Sequence, residues 1–158
     1  MVAASVPDDR WTVPRAEGKW TPAEETEHIA LAYEAFARDL KGGEPMRLIG
    51  KRWQRFIWRA VAMRRIMKSG RMPRAVSAPR EVRPTGAPVS REAAMARLER
   101  ASSEFERVFA AVWRDTPQRQ VTHPYFGAMS LGDAARLASV HTAHHTRFLS
   151  DYSLSDAV

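Results

Sequence analysis

Near its C-terminus the chain reads SVHTAHHTRFL, residues 139–149, and three of its five histidines, His141, His144 and His145, stand within this stretch. Imidazole titrates near neutral pH and is the commonest metal ligand among side chains. On a helix, which advances about 100° per residue, residues four apart share a face. His145 falls near the centre of a face made by Leu131, Ala134, Ala135, Ala138, Phe148 and Leu149, and His141 lies one turn earlier on it. His144 points to the edge of that face with Leu137, while Arg136, Ser139, Arg147 and Ser150 take the opposite side. Two imidazoles aimed into a core cost free energy unless something satisfies them, and two protonated ones repel. A metal ion bound by neutral imidazoles removes both problems.

Catalytic zinc sites usually have three protein ligands and one open position. The two histidines outside this stretch are His28 and His123. His28 sits in a helical stretch on the flank of an apolar stripe, beside Ala32 and Ala35, whose small side chains admit a neighbouring helix. His123 precedes Pro124 in a breaker-rich connection, where it caps a turn or lines an opening. His28, His141 and His145 are therefore the expected metal ligands. The chain has no HExxH, no GxSxG, no glycine-rich phosphate loop, no CxxC and no two ExxH motifs to make a ferritin-type pair, which removes several familiar chemistries. No general base stands out; Glu24, Glu25 and His144 qualify by nearness in sequence.

Four helices must position these residues. Thr21 caps the first, with Pro22 at its first position and Glu24 closing a capping box; Ile29, Tyr33, Phe36 and Leu40 then form its stripe. The second is predicted over 46–68, with Ile49, Trp53, Phe56, Ile57, Ala60, Met63 and Met67 on the buried side and Trp58 off it. Residues 69–89 hold four prolines and two glycines, too many for a helix, and read as an ordered crossover or a mobile loop near a site. The third helix follows Ser90, with Ala94, Leu98, Ala101, Phe105, Val108, Phe109 and Val112 on one face; Ser130 starts the fourth. The expected fold is all-α, a four-helix bundle over 20–150 with a long proline-rich connection between the second and third helices. Residues 1–19 read as an extended N-terminal arm and 151–158 as a C-terminal tail.

The 158 residues fit one domain, large enough to bury a core without staples. Cysteine is absent, which excludes disulfides and thiolate sites. The N-terminus does not read as a secretory signal and no stretch is apolar enough to span a bilayer, so the expected location is cytoplasmic, with no membrane partner. The net charge of +7 is local: residues 45–80 carry eleven Lys and Arg and no Asp or Glu, and the other fourteen basic residues are outnumbered by eighteen acidic ones. This segment lacks the interleaved exposed aromatics of a nucleic-acid stacking platform, so a solvated basic face is the preferred reading and no specific nucleic-acid complex is expected.

WTPAEETEHIALAYEAF, followed about a hundred residues on by HPYFGAMSLGDAARLASVHTAHHTRFL, resembles the DinB-like superfamily of metalloenzymes. The HPYFG…H…HH arrangement is similar to its subgroup of small bacterial proteins. The resemblance implies a four-helix bundle that binds a divalent metal, zinc or nickel among others, through one histidine on the first helix and an HxxxH pair on the last. Those positions are again His28, His141 and His145. It also implies a small-molecule substrate, with thiol S-transferases and isomerases using low-molecular-weight thiols among the relatives. The long basic second helix departs from the family pattern. Three functions are thus in play: a metal-dependent transferase or hydrolase, a binding module whose basic helix meets nucleic acid or an acidic partner, and a homodimer joined through Trp58 and Ile66.

Overall fold

The computed structural model describes residues 2–73 and 76–154. Among them four helices carry the fold, joined by a small hairpin and an ordered strap. Helix α1 spans Pro22–Leu40, and its capping box forms: Thr21 Oγ1 accepts from the Glu24 N–H at 3.2 Å, and the Glu24 carboxylate accepts from the Thr21 N–H at 2.8 Å. Helix α3 spans Arg91–Asp115, with Ser90 Oγ accepting from the Ala93 N–H. Helix α4 spans Leu131–Leu154, started by Ser130 Oγ accepting from the Asp133 N–H. It therefore continues through the first four residues read as a tail, and 155–158 lie outside the described residues. The apolar periods of α1 and α3 meet along most of their length. Phe36 and Leu40 pack with Phe105 and Val108, and α4 closes this cluster with Leu131, Ala134 and Ala138.

Helix α2 differs from its sequence-based expectation in start, phase and regularity. It begins at Arg52, because Gly50 takes a φ of 74° and Lys51 is extended. Residues 46–50 instead run as a strap: Met46 is buried in the core and the Ile49 N–H donates to the Pro124 carbonyl at 2.9 Å. The helix then runs as α-helix over Arg52–Trp58, as a π-helical turn over Arg59–Met63 and as α-helix over Arg64–Ser69. Its inward residues include Gln54, Trp58, Ala62 and Ile66, four apart each time, with Met63 buried and Met67 half-buried as expected. In an α-helix such a series drifts about 40° per step; the wider turn absorbs the drift. Trp53, Phe56 and Ile57, expected inside, therefore face solvent at 60, 73 and 48% exposure. Trp58 and Ile66, expected at a homodimer face, point inward, and Ile66 is buried.

A second difference lies between α3 and α4. The breakers there make a hairpin: β1, Gln120–His123, pairs antiparallel with β2, Gly127–Ser130, in the register Val121↔Met129 and His123↔Gly127. Its three-residue loop closes on Gly127 at a φ of 71°, the left-handed position such loops require. Asp39, buried on α1, holds the hairpin by accepting from the Thr122 N–H at 2.7 Å and pairing with Arg119.

The proline-rich connection is ordered over its described part. A single 3-10 turn, Arg80–Val82, lies on α1 with Val82 buried. Buried Glu27 accepts from the Thr85 N–H and hydroxyl, both at 3.2 Å, which fixes the strap to α1. Residues 2–19, read as an extended arm, hold two short 3-10 turns, Val2–Ser5 and Asp8–Arg10, and bury Ala3, Val6 and Trp11 against Leu149 and Tyr152.

Candidate metal centre

The bundle brings together the three histidines that the helical wheel selects. His28 projects from α1, and His141 and His145 from successive turns of α4. The His141 Nε2 lies 3.1 Å from His28 Nε2 and 3.2 Å from His145 Nε2. His28 and His145 are buried and His141 is half-buried. Among the described residues these three form a cluster able to hold a metal ion.

Their outer nitrogens decide what the inner ones present. His28 Nδ1 lies 2.6 Å from the Val82 carbonyl. A carbonyl only accepts, so that nitrogen carries the proton and Nε2 is a lone pair. His145 Nδ1 meets the Glu25 carboxylate, one turn before His28 on α1. A carboxylate there likewise takes the Nδ1–H and leaves Nε2 bare. Two lone pairs thus face His141 Nε2, which carries at most one hydrogen, so the three nitrogens present more lone pairs than protons. A tetrahedral ion with bonds of about 2.0–2.1 Å sets its nitrogen ligands about 3.3–3.4 Å apart. The observed separations of 3.1 and 3.2 Å are within a few tenths of that. Donor type, tautomer and these two spacings fit a divalent cation with a preference for nitrogen ligands, and all three ligand atoms lie within 4.8 Å of one another.

Burial keeps the imidazoles neutral. It lowers His28, lowers His141 well below its ordinary value, and holds His145 down to about 3, with neighbouring imidazoles adding to the effect in the last two. Burial also pushes the Glu25 carboxyl up to about 7, against the opposing pull of His28, Arg15 and His144. Neutral imidazoles have no proton to displace before binding a metal.

The histidines form the floor of a pocket of about 490 Å³. Trp20 covers one side, its ring 4.8 Å from that of His28. His123 does line the opening: it stacks on Phe126 at 4.5 Å, accepts at Nδ1 from the Tyr125 N–H, and burial lowers it to about 4. His144, expected at the edge of the α4 face, packs on Phe148 and also borders the pocket. Glu24 is occupied in the capping box. The orienting roles of Glu25 and Val82 were not visible in the sequence. Glu25 carries a partial signal, its place three residues before His28 on an inward face, whereas a backbone carbonyl from the strap leaves none.

Residues 1–149 match the sequence profile of the DinB superfamily. No curated protein and no solved structure matches the chain. No helix among the described residues is long and apolar enough to cross a membrane.

Proposed function

The chain belongs to the DinB superfamily, and from that premise we propose that it is a metal-dependent enzyme acting on a small molecule by thiol S-transfer or hydrolysis. His28, His141 and His145 are its ligands, and zinc or nickel is the ion. The observation that carries this reading is the convergence of three Nε2 atoms at 3.1 and 3.2 Å with two of the outer nitrogens already committed. A divalent ion held there would lower the pKa of a water or thiol bound to it and supply a nucleophile at neutral pH. The chain's own residues do the rest. Val82 fixes the tautomer and ring plane of His28 through its carbonyl, and Glu25 does the same for His145. Such orienting groups raise ligand basicity and fix ligand direction. Trp20, Phe126 and Trp58 line the pocket with apolar ring surface. The protein is expected to be intracellular.

The test is elemental analysis of protein purified without a histidine tag or chelator. About one equivalent of zinc or nickel is expected in the wild type and in His144→Ala, and little in His28→Ala, His141→Ala or His145→Ala. Equal metal in the wild type and His145→Ala would sink the assignment.

A second reading is favoured by one observation. The basic segment does expose aromatics: Trp53 and Phe56 stand outward among Arg52, Arg55 and Arg59. That is the composition of a surface for nucleic acid or an acidic partner. Binding to a duplex should weaken steeply with salt, and sub-micromolar affinity at physiological ionic strength would promote this reading.

A further inference from the structure

The pocket above the histidines is unlike the surface around it. The chain has 25 basic and 18 acidic residues, yet none of the described residues lining the pocket is Asp, Glu, Lys or Arg. Helix α2 shows how the separation is made. It turns Trp58, Ala62 and Ile66 to the pocket, while Arg59, Arg64 and Arg65 are exposed. The π-helical turn keeps this division in phase along the helix.

Three of the polar side chains on the walls are already engaged. Tyr33 and Thr142 share a hydrogen bond at 2.8 Å, and the Tyr125 hydroxyl donates to the Ser77 carbonyl at 2.6 Å. The second bond ties the strap to the hairpin at the pocket rim. Most of what remains open is aromatic and aliphatic surface: Trp58 and Tyr125 meet edge to face at 5.7 Å, and Met46, Met72 and Phe126 continue the wall.

We infer that this pocket takes an uncharged, largely apolar molecule, with a single polar end at the histidines. A ligand carrying a carboxylate, phosphate or ammonium on its body would lose water along these walls and meet no described counter-charge. An apolar body instead gains with the area it removes from water. The volume, about 490 Å³, is that of a site for a small organic molecule. The polar end rests on the metal reading above; the chemical class rests on the walls alone. A thiol substrate, on this inference, is an apolar one and not a peptide-like thiol with several carboxylates.

Two probes of nearly equal shape separate the alternatives: uncharged N-phenyl-1-naphthylamine and anionic 8-anilino-1-naphthalenesulfonate. Their fluorescence is titrated with full-length protein at about 0.15 M salt, where attraction to exposed charge is screened beyond roughly 8 Å. The neutral probe is expected to bind at least tenfold more tightly. Ala62→Phe, which fills the pocket from α2, should abolish that binding, and Phe56→Ser on the outer face should leave it intact. If Ala62→Phe loses its helical signal, Ala32→Phe blocks the pocket from α1 instead. Equal or tighter binding of the sulfonate, displaced by the same blocking variant, overturns the inference. So does neutral-probe binding that survives a folded blocking variant. Chelator-treated protein and His141→Ala should both keep the neutral probe. Wild type that carries no zinc or nickel when purified without chelator, yet still prefers the neutral probe, would defeat the metal reading and leave this one standing.

Discussion

Replacing Glu25 by Gln separates the metal centre from the fold, because the two respond in opposite directions. Glu25 and His145 are both buried, and the carboxylate takes the His145 Nδ1–H. The amide oxygen of Gln can still accept that bond but without a charge, and charge-assisted bonds are roughly twice as strong as neutral ones. Losing such a partner typically lowers metal affinity 10–100-fold, about 1.4–2.8 kcal/mol. In metal-free protein the same carboxylate is a burden. Burial raises it from 4.5 to about 7. Because the folded value is the higher one, its contribution is most favourable below pH 4.5 and is lost as pH rises through about 7. At about 1.4 kcal/mol per pH unit, the loss is bounded at about 3 kcal/mol. Metal-free Glu25→Gln should therefore melt no lower than metal-free wild type at pH 8, while its zinc affinity falls. Competition with a chromophoric chelator measures the affinity, and calorimetric melts of chelated samples measure the stability. Unchanged zinc affinity, or a metal-free variant clearly less stable than wild type, would refute the orienting role.

Chelation of the wild type should leave the helical circular dichroism signal and lower the melting temperature, because the stripes of α1, α3 and α4 supply a core that needs no ion; collapse of the signal would make the metal structural. His123, lowered from 6.5 to about 4 by burial, contributes stability that is full above pH 6.5 and is lost as pH falls through about 4, up to about 3 kcal/mol. His123→Phe should flatten that acid limb in a pH series of denaturant melts. Met129, with no exposed surface, should cost about 2–5 kcal/mol on truncation to Ala, read as a lower urea midpoint at constant slope. Gly50→Ala should cost both backbone strain and packing, because φ is 74° and a Cβ would stand 2.8 Å from the Trp58 ring; a melt within a degree of wild type would show that the strap yields.

Three helices were legible because each obeys one period and carries its own start signal. Thr21, Ser90 and Ser130 all cap as their sequence context implies, and the same period correctly placed His141 and His145 on one inward face. It failed on α2, where the π-helical turn breaks the assumption of 100° per residue, so Trp53 and Phe56 were assigned inside and Trp58 outside. The hairpin was hidden for a different reason. Val121 and Met129 are its buried pair, but four-residue strands around Pro124 and Gly127 offer too little alternation to outweigh two breakers. At the site, the candidate ligands could be read from spacing on single helices. Their orienting partners could not, because Val82 reaches His28 across 54 positions and Glu25 reaches His145 across 120.

The widened turn at Arg59–Met63 also sets how this gene segment can change length. Five residues of the widened turn sweep about the same angle as four of an ordinary helix, so loss of one codon there would let the helix relax to ordinary pitch with Ile66 still on its own side. The cost would be a shift of about 1.5 Å along the axis for everything after it, including Ile66 and its neighbours in the wall. A single-residue insertion has no such outlet: it would need a second widened turn, or would swing everything after it by about 100° and bring arginine side chains into the wall. Point replacements at outward Ala60 or Val61 are cheap by comparison, since both are exposed. Within this stretch, then, outward positions should drift in type and the length should drift one way only, losing a residue far more readily than gaining one, unlike a surface loop that tolerates both.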